Sequence, residues 1–197
     1  MLNFDEGRFV RIQTGALAVA HELDTIVGKC LDAGAENLFF LGAGGVMLLT
    51  EPAQRLLQLR STFPVHYEKG AELVETGSVH LGPGSIVVMP SLSGTTKEAV
   101  AALEFAKAKG ATVITLTGHA DTPIAREADH NVTNFAEDDT SSEMFYLQTL
   151  LVALSVMRHR GELDAYEETV AELKLLPELL VEVKRAFEPR AQALAEK

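Results

Sequence analysis

Cysteine is almost missing from this chain. Cys30 is the single cysteine in 197 residues, which excludes an internal disulfide framework. It falls in a helical pattern, where a small buried or half-buried thiol is the simplest reading. Long apolar runs are missing too. No stretch of about 18 or more uncharged apolar residues occurs, so no transmembrane helix is expected. Met1-Leu2-Asn3-Phe4-Asp5-Glu6 lacks the basic start and apolar core of a signal peptide, and a cytoplasmic location is the default expectation. Basic residues are the minority sign, with 17 Lys and Arg against 28 Asp and Glu and a formal net charge of −11. That balance opposes nonspecific binding to nucleic acid or to an anionic membrane, so neither is expected as a partner. A site for an anion in such a chain must rely on local, aimed donors.

What is present is a globular composition, 47% hydrophobic and 23% charged, in a length suited to one domain with a proper core. Residues 4 to about 33 carry apolar side chains at three- and four-residue steps and read as one helix, stopped by Gly34. His21 and Glu22 fall on its solvated face. Asn37-Leu38-Phe39-Phe40-Leu41 is apolar without alternation, as in strands covered on both faces of a parallel sheet. Gly42-Ala43-Gly44-Gly45 follows, then a helix from about Val46 to Leu59 and a short strand at Pro64-Val65-His66-Tyr67. Gly82-Pro83-Gly84 marks a turn. Strands at 85–89, 112–117 and 131–134 alternate with helices at 96–109 and 123–128. This alternation predicts a five-stranded parallel sheet with helices on both faces and the first strand near the centre. A long apolar helix runs from Met144 to about His159, its start favoured by Glu137-Asp138-Asp139-Thr140-Ser141-Ser142-Glu143, where Ser141 or Ser142 can cap. From Glu162 the tail is helical, with a break or kink at Pro177.

The stretch with chemistry is Pro90-Ser91-Leu92-Ser93-Gly94-Thr95-Thr96-Lys97. It joins the strand ending at Met89 to the helix beginning near Glu98. Gly94 permits a tight turn that brings amides close to a ligand. The first turn of the helix adds unpaired N–H donors and partial positive charge. Hydroxyls of Ser91, Ser93 and Thr96 beside those amides suit a phosphate, with Leu92 and Gly94 contributing backbone N–H groups. The plainer alternative is a helix N-cap formed by Thr95 or Thr96. A second alternative comes from Gly42-Ala43-Gly44 with Glu68 at the end of the next strand, which partly matches a dinucleotide fingerprint; its third glycine position is Met47.

The S-x-S-G-x-T stretch resembles the phosphate-binding signature of the sugar isomerase (SIS) domain family. Pro123-Ile124-Ala125-Arg126-Glu127-Ala128-Asp129 is similar to the family's S-P-L-A-x-x-A-D segment, and the resemblance spans about residues 36 to 160. It is nearest to the two-lobed branch, the isomerase part of glucosamine-6-phosphate synthase and the fructoselysine-6-phosphate deglycases. The resemblance implies a flavodoxin-like SIS domain over 1–160, N-terminal helix included, and a C-terminal helical tail over 161–197. It implies a sugar phosphate ligand and no cofactor or metal. Ala43-Gly44-Gly45-Val46 matches the family's C-G-G-S turn, but Val46 stands where a serine holds the phosphate. Gly44 and Gly45 are thereby candidate sugar contacts. Ser141, Phe145 and Gln148 agree with the family's S-T-K-x-F-x-x-Q pocket segment, with Glu143 in place of the lysine. Ser141 is a further candidate contact; Glu143 is either a cap-region acid or a changed polar contact. Glu72 is either near an acid of the wall between subunits or a surface acid, and His119 and Asp121 are pocket or plain loop residues. The glutamate and histidine that do the chemistry in the two-lobed relatives lie in a second lobe, so no catalytic residue is assigned. The reading is a sugar-phosphate isomerase or deglycase lobe, with a noncatalytic sugar-phosphate sensor as the alternative. Excess apolar residues on the first and tail helices lead us to expect a homodimer at least.

Overall fold

A computed structural model describes residues 4–136 and 142–196 of the chain. Five parallel strands, β1 (Asn37–Gly42), β2 (Val65–Lys69), β3 (Ser85–Ser91), β4 (Thr112–Thr117) and β5 (His130–Thr133), lie in the order β2-β1-β3-β4-β5. β3, buried at every residue, holds the centre and β1 lies beside it, near the centre as expected. In register, Phe40 faces Tyr67 on one side and Val88 on the other, and Val88 faces Ile114.

Because side chains alternate across a strand, the sheet feeds two cores. Leu38, Phe40, Ile86, Val88, Ile114, Leu116 and Val132 pack under α1 (Glu6–Ala18), α2 (Ala20–Asp32), α4 (Glu51–Arg60), α8 (Met144–His159) and α9 (Tyr166–Leu173). Phe39, Leu41, Val87, Met89 and Val113 pack on the other face under α5 (Gly70–Thr76), α6 (Lys97–Ala108) and α7 (Pro123–Glu127). Each large side chain so buried stabilises the fold by about 1.5–3 kcal/mol. Doubly covered strands explain the runs without alternation. α10 (Leu176–Ala195) closes the chain against α1, where Glu6 holds Lys184 and Arg185.

Several boundaries differ from the sequence reading. Residues 4–33 form two helices, because Val19 leaves helical geometry at φ −82°, ψ 6°. The helix after β1 is likewise divided, into α3 (Gly44–Leu48) and α4, with the Thr50 hydroxyl donating to the Met47 carbonyl between them. β3 extends to Ser91, paired with Thr117. Residues after Tyr67 continue β2 and then enter α5. Pro177 sits in the first turn of α10, where its missing N–H breaks no bond.

The sheet order sets the place of any ligand. From β1 the chain crosses outward to β2, then returns past β1 to β3 and proceeds the other way. The connections therefore part at the carboxyl ends of β1 and β3. Open α/β sheets bind ligands in that crevice.

Candidate functional site

A cleft of about 140 Å³ opens at this point. Its walls are the β1–α3 turn (Leu41, Gly42, Ala43, Val46), the start of α5 (Gly70, Ala71), the end of β3 with its turn (Met89, Pro90, Ser91, Leu92) and the first turns of α6 (Thr96, Glu98, Ala99, Ala102).

The β3–α6 turn is built by its own polar groups. Ser91 is buried at the strand end, and its Oγ accepts from the Gly94 N–H at 3.2 Å. Ser93 Oγ accepts from the Thr95 N–H at 3.4 Å. Neither hydroxyl proton has an acceptor among the described residues. Gly94 adopts φ +62°, and a Cβ there would stand 2.3 Å from the Thr122 hydroxyl, so glycine is required twice over. The turn is tied to the next loop by bonds from the Gly118 N–H to the Leu92 carbonyl (3.2 Å) and from the Ile124 N–H to the Gly94 carbonyl (3.4 Å). Thr96 is the N-cap residue of α6 by position, yet its side chain makes no cap bond. The plain capping role is therefore not what its hydroxyl does, and the amides of the first turn have no side-chain partner among the described residues.

The β1–α3 turn is different in kind. Gly42 is needed because a Cβ would meet Met47 Cα at 2.9 Å. Gly44 and Gly45 open α3, where a Cβ would meet nothing within 4 Å. Val46 presents an aliphatic wall to the cleft. From β2, the Tyr67 hydroxyl donates to the Met47 carbonyl at 3.0 Å and pins the turn from below. Burial pushes the Tyr67 phenol pKa up, with the Glu51 charge adding to it, so it stays protonated and donating.

The structure thus brings Ser91, Leu92 and Thr96 to the cleft wall, with Ser93 and Gly94 in the same turn. Gly44 and Gly45 flank the opposite wall without lining it. Glu143 is exposed just before α8 and makes no side-chain cap bond. Ser141 lies outside the described residues. Glu72, in the first turn of α5, is exposed and paired with Lys69 at 3.1 Å. Asp121 is paired with Arg126, and the exposed His119 stands edge-on to Phe135. The Gln148 amide is fully buried with no hydrogen-bond partner among the described residues. Sequence reasoning missed Glu98, which is the one titratable side chain among the described residues of the cleft wall. Its signal was faint: Glu98 stands four residues before Ala102, on the side of α6 that borders the cleft, but no motif marks it.

A family model for the SIS domain matches residues 33–158. The chain belongs to the SIS domain family. Among curated relatives, fructosamine deglycase FrlB of Bacillus subtilis is 31% identical over 109 residues, 55% of this chain and 32% of its own length. Fructoselysine 6-phosphate deglycase of Escherichia coli O157:H7 is 26% identical over 172 residues, 87% of this chain and 50% of its own. The transcriptional regulator HexR of Escherichia coli K12 is 31% identical over 129 residues, 64% of this chain and 44% of its own. The SIS chain therefore spans half or less of the length of these relatives.

Solved structures agree on the SIS fold. A Salmonella typhimurium LT2 protein proposed as a phosphosugar isomerase superposes with TM-score 0.80 at 27% identity, over 90% of this chain and 55% of its own. The C-terminal domain of glucosamine-fructose-6-phosphate aminotransferase from Francisella tularensis gives 0.82 at 15% identity, over 96% and 56%. A Bacteroides fragilis protein proposed as a phosphosugar isomerase involved in capsule formation gives 0.63 at 15% identity, over 80% and 91%.

Proposed function

We propose that this SIS chain binds a sugar phosphate, with the phosphate held at Ser91, Leu92, Ser93, Gly94 and Thr96. The observation that carries the reading is the β3–α6 turn at the crevice between β1 and β3. There, hydroxyls not used for capping, backbone amides and a helix N-terminus converge in a net negative chain. A dianion needs several such donors to replace its water. The sugar would extend toward the β1–α3 turn, with Gly44 and Gly45 near it; Ser141 and Glu143 are further candidate contacts. The bound sugar phosphate would serve ketose/aldose isomerisation or fructosamine-6-phosphate deglycation, as in the deglycases that the chain resembles. Moving a proton between adjacent carbons needs an acid/base group beside C1 and C2. Glu98 is the candidate that this chain offers, and a second lobe or a second chain would complete the set. We also propose that the protein is a homodimer at least and acts in the cytoplasm.

One observation favours a second reading, a noncatalytic sugar-phosphate sensor. A single titratable side chain on the described cleft wall is little for two proton transfers, and HexR is among the relatives. The test is calorimetric titration of fructose 6-phosphate and glucosamine 6-phosphate, joined to turnover assays for isomerisation and deglycation. Binding with turnover that falls in Glu98→Gln at unchanged affinity supports the enzyme. Binding with no turnover of any such substrate supports the sensor, and no binding of either sugar phosphate overturns both.

A further inference from the structure

Glu98 is answered by nothing on the wall it belongs to. It is exposed in the first turn of α6 and lines the cleft. Its carboxylate has no hydrogen bond or ion pair among the described residues. On a helix the neighbours of a side chain stand three and four residues away. For Glu98 these are Gly94, Thr95, Ala101 and Ala102, none of them a cation. Lys97 precedes it directly, and adjacent helical residues point about 100° apart. Lys69, just before the Gly70 wall, is held by Glu72 at 3.1 Å. The lining around Glu98 is otherwise short and apolar, as at Ala43, Gly70, Ala71 and Ala99. A helix start favours an acid. That explains why one is tolerated here, yet it supplies no partner.

The turn proposed for phosphate lies on the same wall. Thr96 stands two residues before Glu98, and both line the cleft. A phosphate held at Ser91–Thr96 brings negative charge to a wall that already carries one, in a chain of net charge −11. Like charges at such spacing repel. A neutral sugar leaves that repulsion standing. A sugar with a protonated amine relieves it, because the ammonium donates to the carboxylate while the phosphate takes the turn. We infer that the cleft selects phosphorylated sugars that carry a cationic amine, with Glu98 as the partner of the ammonium. The inference rests on the phosphate reading and holds for an enzyme and a sensor alike. It adds the second charge that the ligand must bring. A hydrogen bond between opposite charges is stronger than a neutral one, and apolar walls screen it less than water does. With the amine on C1 or C2, the acid/base candidate of the wall also comes to rest beside the carbons that exchange a proton.

Glucosamine 6-phosphate and glucose 6-phosphate differ only at C2, amine against hydroxyl, and form the test pair. In calorimetric titration at about pH 7, below the usual range of an amine, the amino sugar should bind about three- to tenfold more tightly. Glu98→Gln keeps the shape of the side chain and removes its charge. It should weaken glucosamine 6-phosphate and leave glucose 6-phosphate as tight or tighter, so that the two affinities converge. A merely structural role for Glu98 would move both the same way and overturn the inference. At about pH 9.5, where the amine has lost its proton, the wild-type protein should also treat the two sugars alike. Equal wild-type affinities at neutral pH, or a preference that survives Glu98→Gln, would overturn the inference and leave the phosphate reading in place. Binding of neither sugar phosphate would overturn the phosphate reading itself, and the inference with it.

Discussion

Two turns face each other across the cleft, and both follow a buried strand and open a helix. The β3–α6 turn carries hydroxyls, is laced to the β4–α7 loop, and opens a helix of 12 residues. The β1–α3 turn carries bare glycine and Val46 and opens a helix of five residues. Helix dipoles build with length, so the first turn concentrates donors and field while the second supplies shape. The same topological position can thus be an anchor on one side and a wall on the other, and the difference lies in side chains rather than in fold.

The sharpest way to break the comparison is to add one methyl group to each turn. Gly94→Ala should destabilise by about 2–4 kcal/mol, combining a left-handed backbone with a clash against Thr122. Gly45→Ala should be neutral or stabilise by up to about 1 kcal/mol. Paired urea titrations read both, and equal losses would erase the distinction. Next in size, Ser93→Ala with Thr96→Ala should cost about 2–3 kcal/mol of fructose 6-phosphate binding at unchanged melting temperature. Unchanged affinity would leave the turn as nothing more than a helix start. Val46→Ser should convert part of the wall into anchor and tighten binding by about 1 kcal/mol in the same calorimeter.

The smallest effect concerns a region away from both turns. His66 stacks on Phe39 at 4.4 Å and on His80 at 4.9 Å. Burial lowers the His66 pKa from its ordinary 6.5, and the His80 charge lowers it further against an opposing pull from Glu68. Below pH 6.5 the unfolded chain takes up a proton that the folded chain refuses, so stability falls as pH drops from there toward the depressed value. Melting curves between pH 7.5 and 5.5 should show this slope, and His66→Phe should flatten it without changing ligand affinity at pH 7.5. A variant that keeps the full slope would place the titration elsewhere.

The strands were legible because they are covered on both faces. Apolar residues then run unbroken between glycine and proline punctuation, as at Leu38–Leu41 and Ile86–Met89. The β3–α6 turn was legible because its hydroxyls and glycine are contiguous. The break at Val19 was not, since neither glycine nor proline marks it and the apolar steps run on into α2. The tail shows the same limit: periodicity revealed that α10 has an apolar side, but not that α1 turns its own inward against α8 while α10 leaves its side in solvent.

Local order of residue types was enough for the parallel α/β class and for the cluster of hydroxyls, glycine and helix start at Ser91–Thr96, because both depend on neighbours within a few positions. The meeting of Val46, Gly70, Ser91 and Glu98 around one cleft was decided only in three dimensions. Those residues come from separate crossovers, and the order β2-β1-β3 that gathers them is written in no single segment. The same holds for Gly94, whose need for glycine comes partly from Thr122, a side chain that reaches it only once β3 and β4 lie side by side.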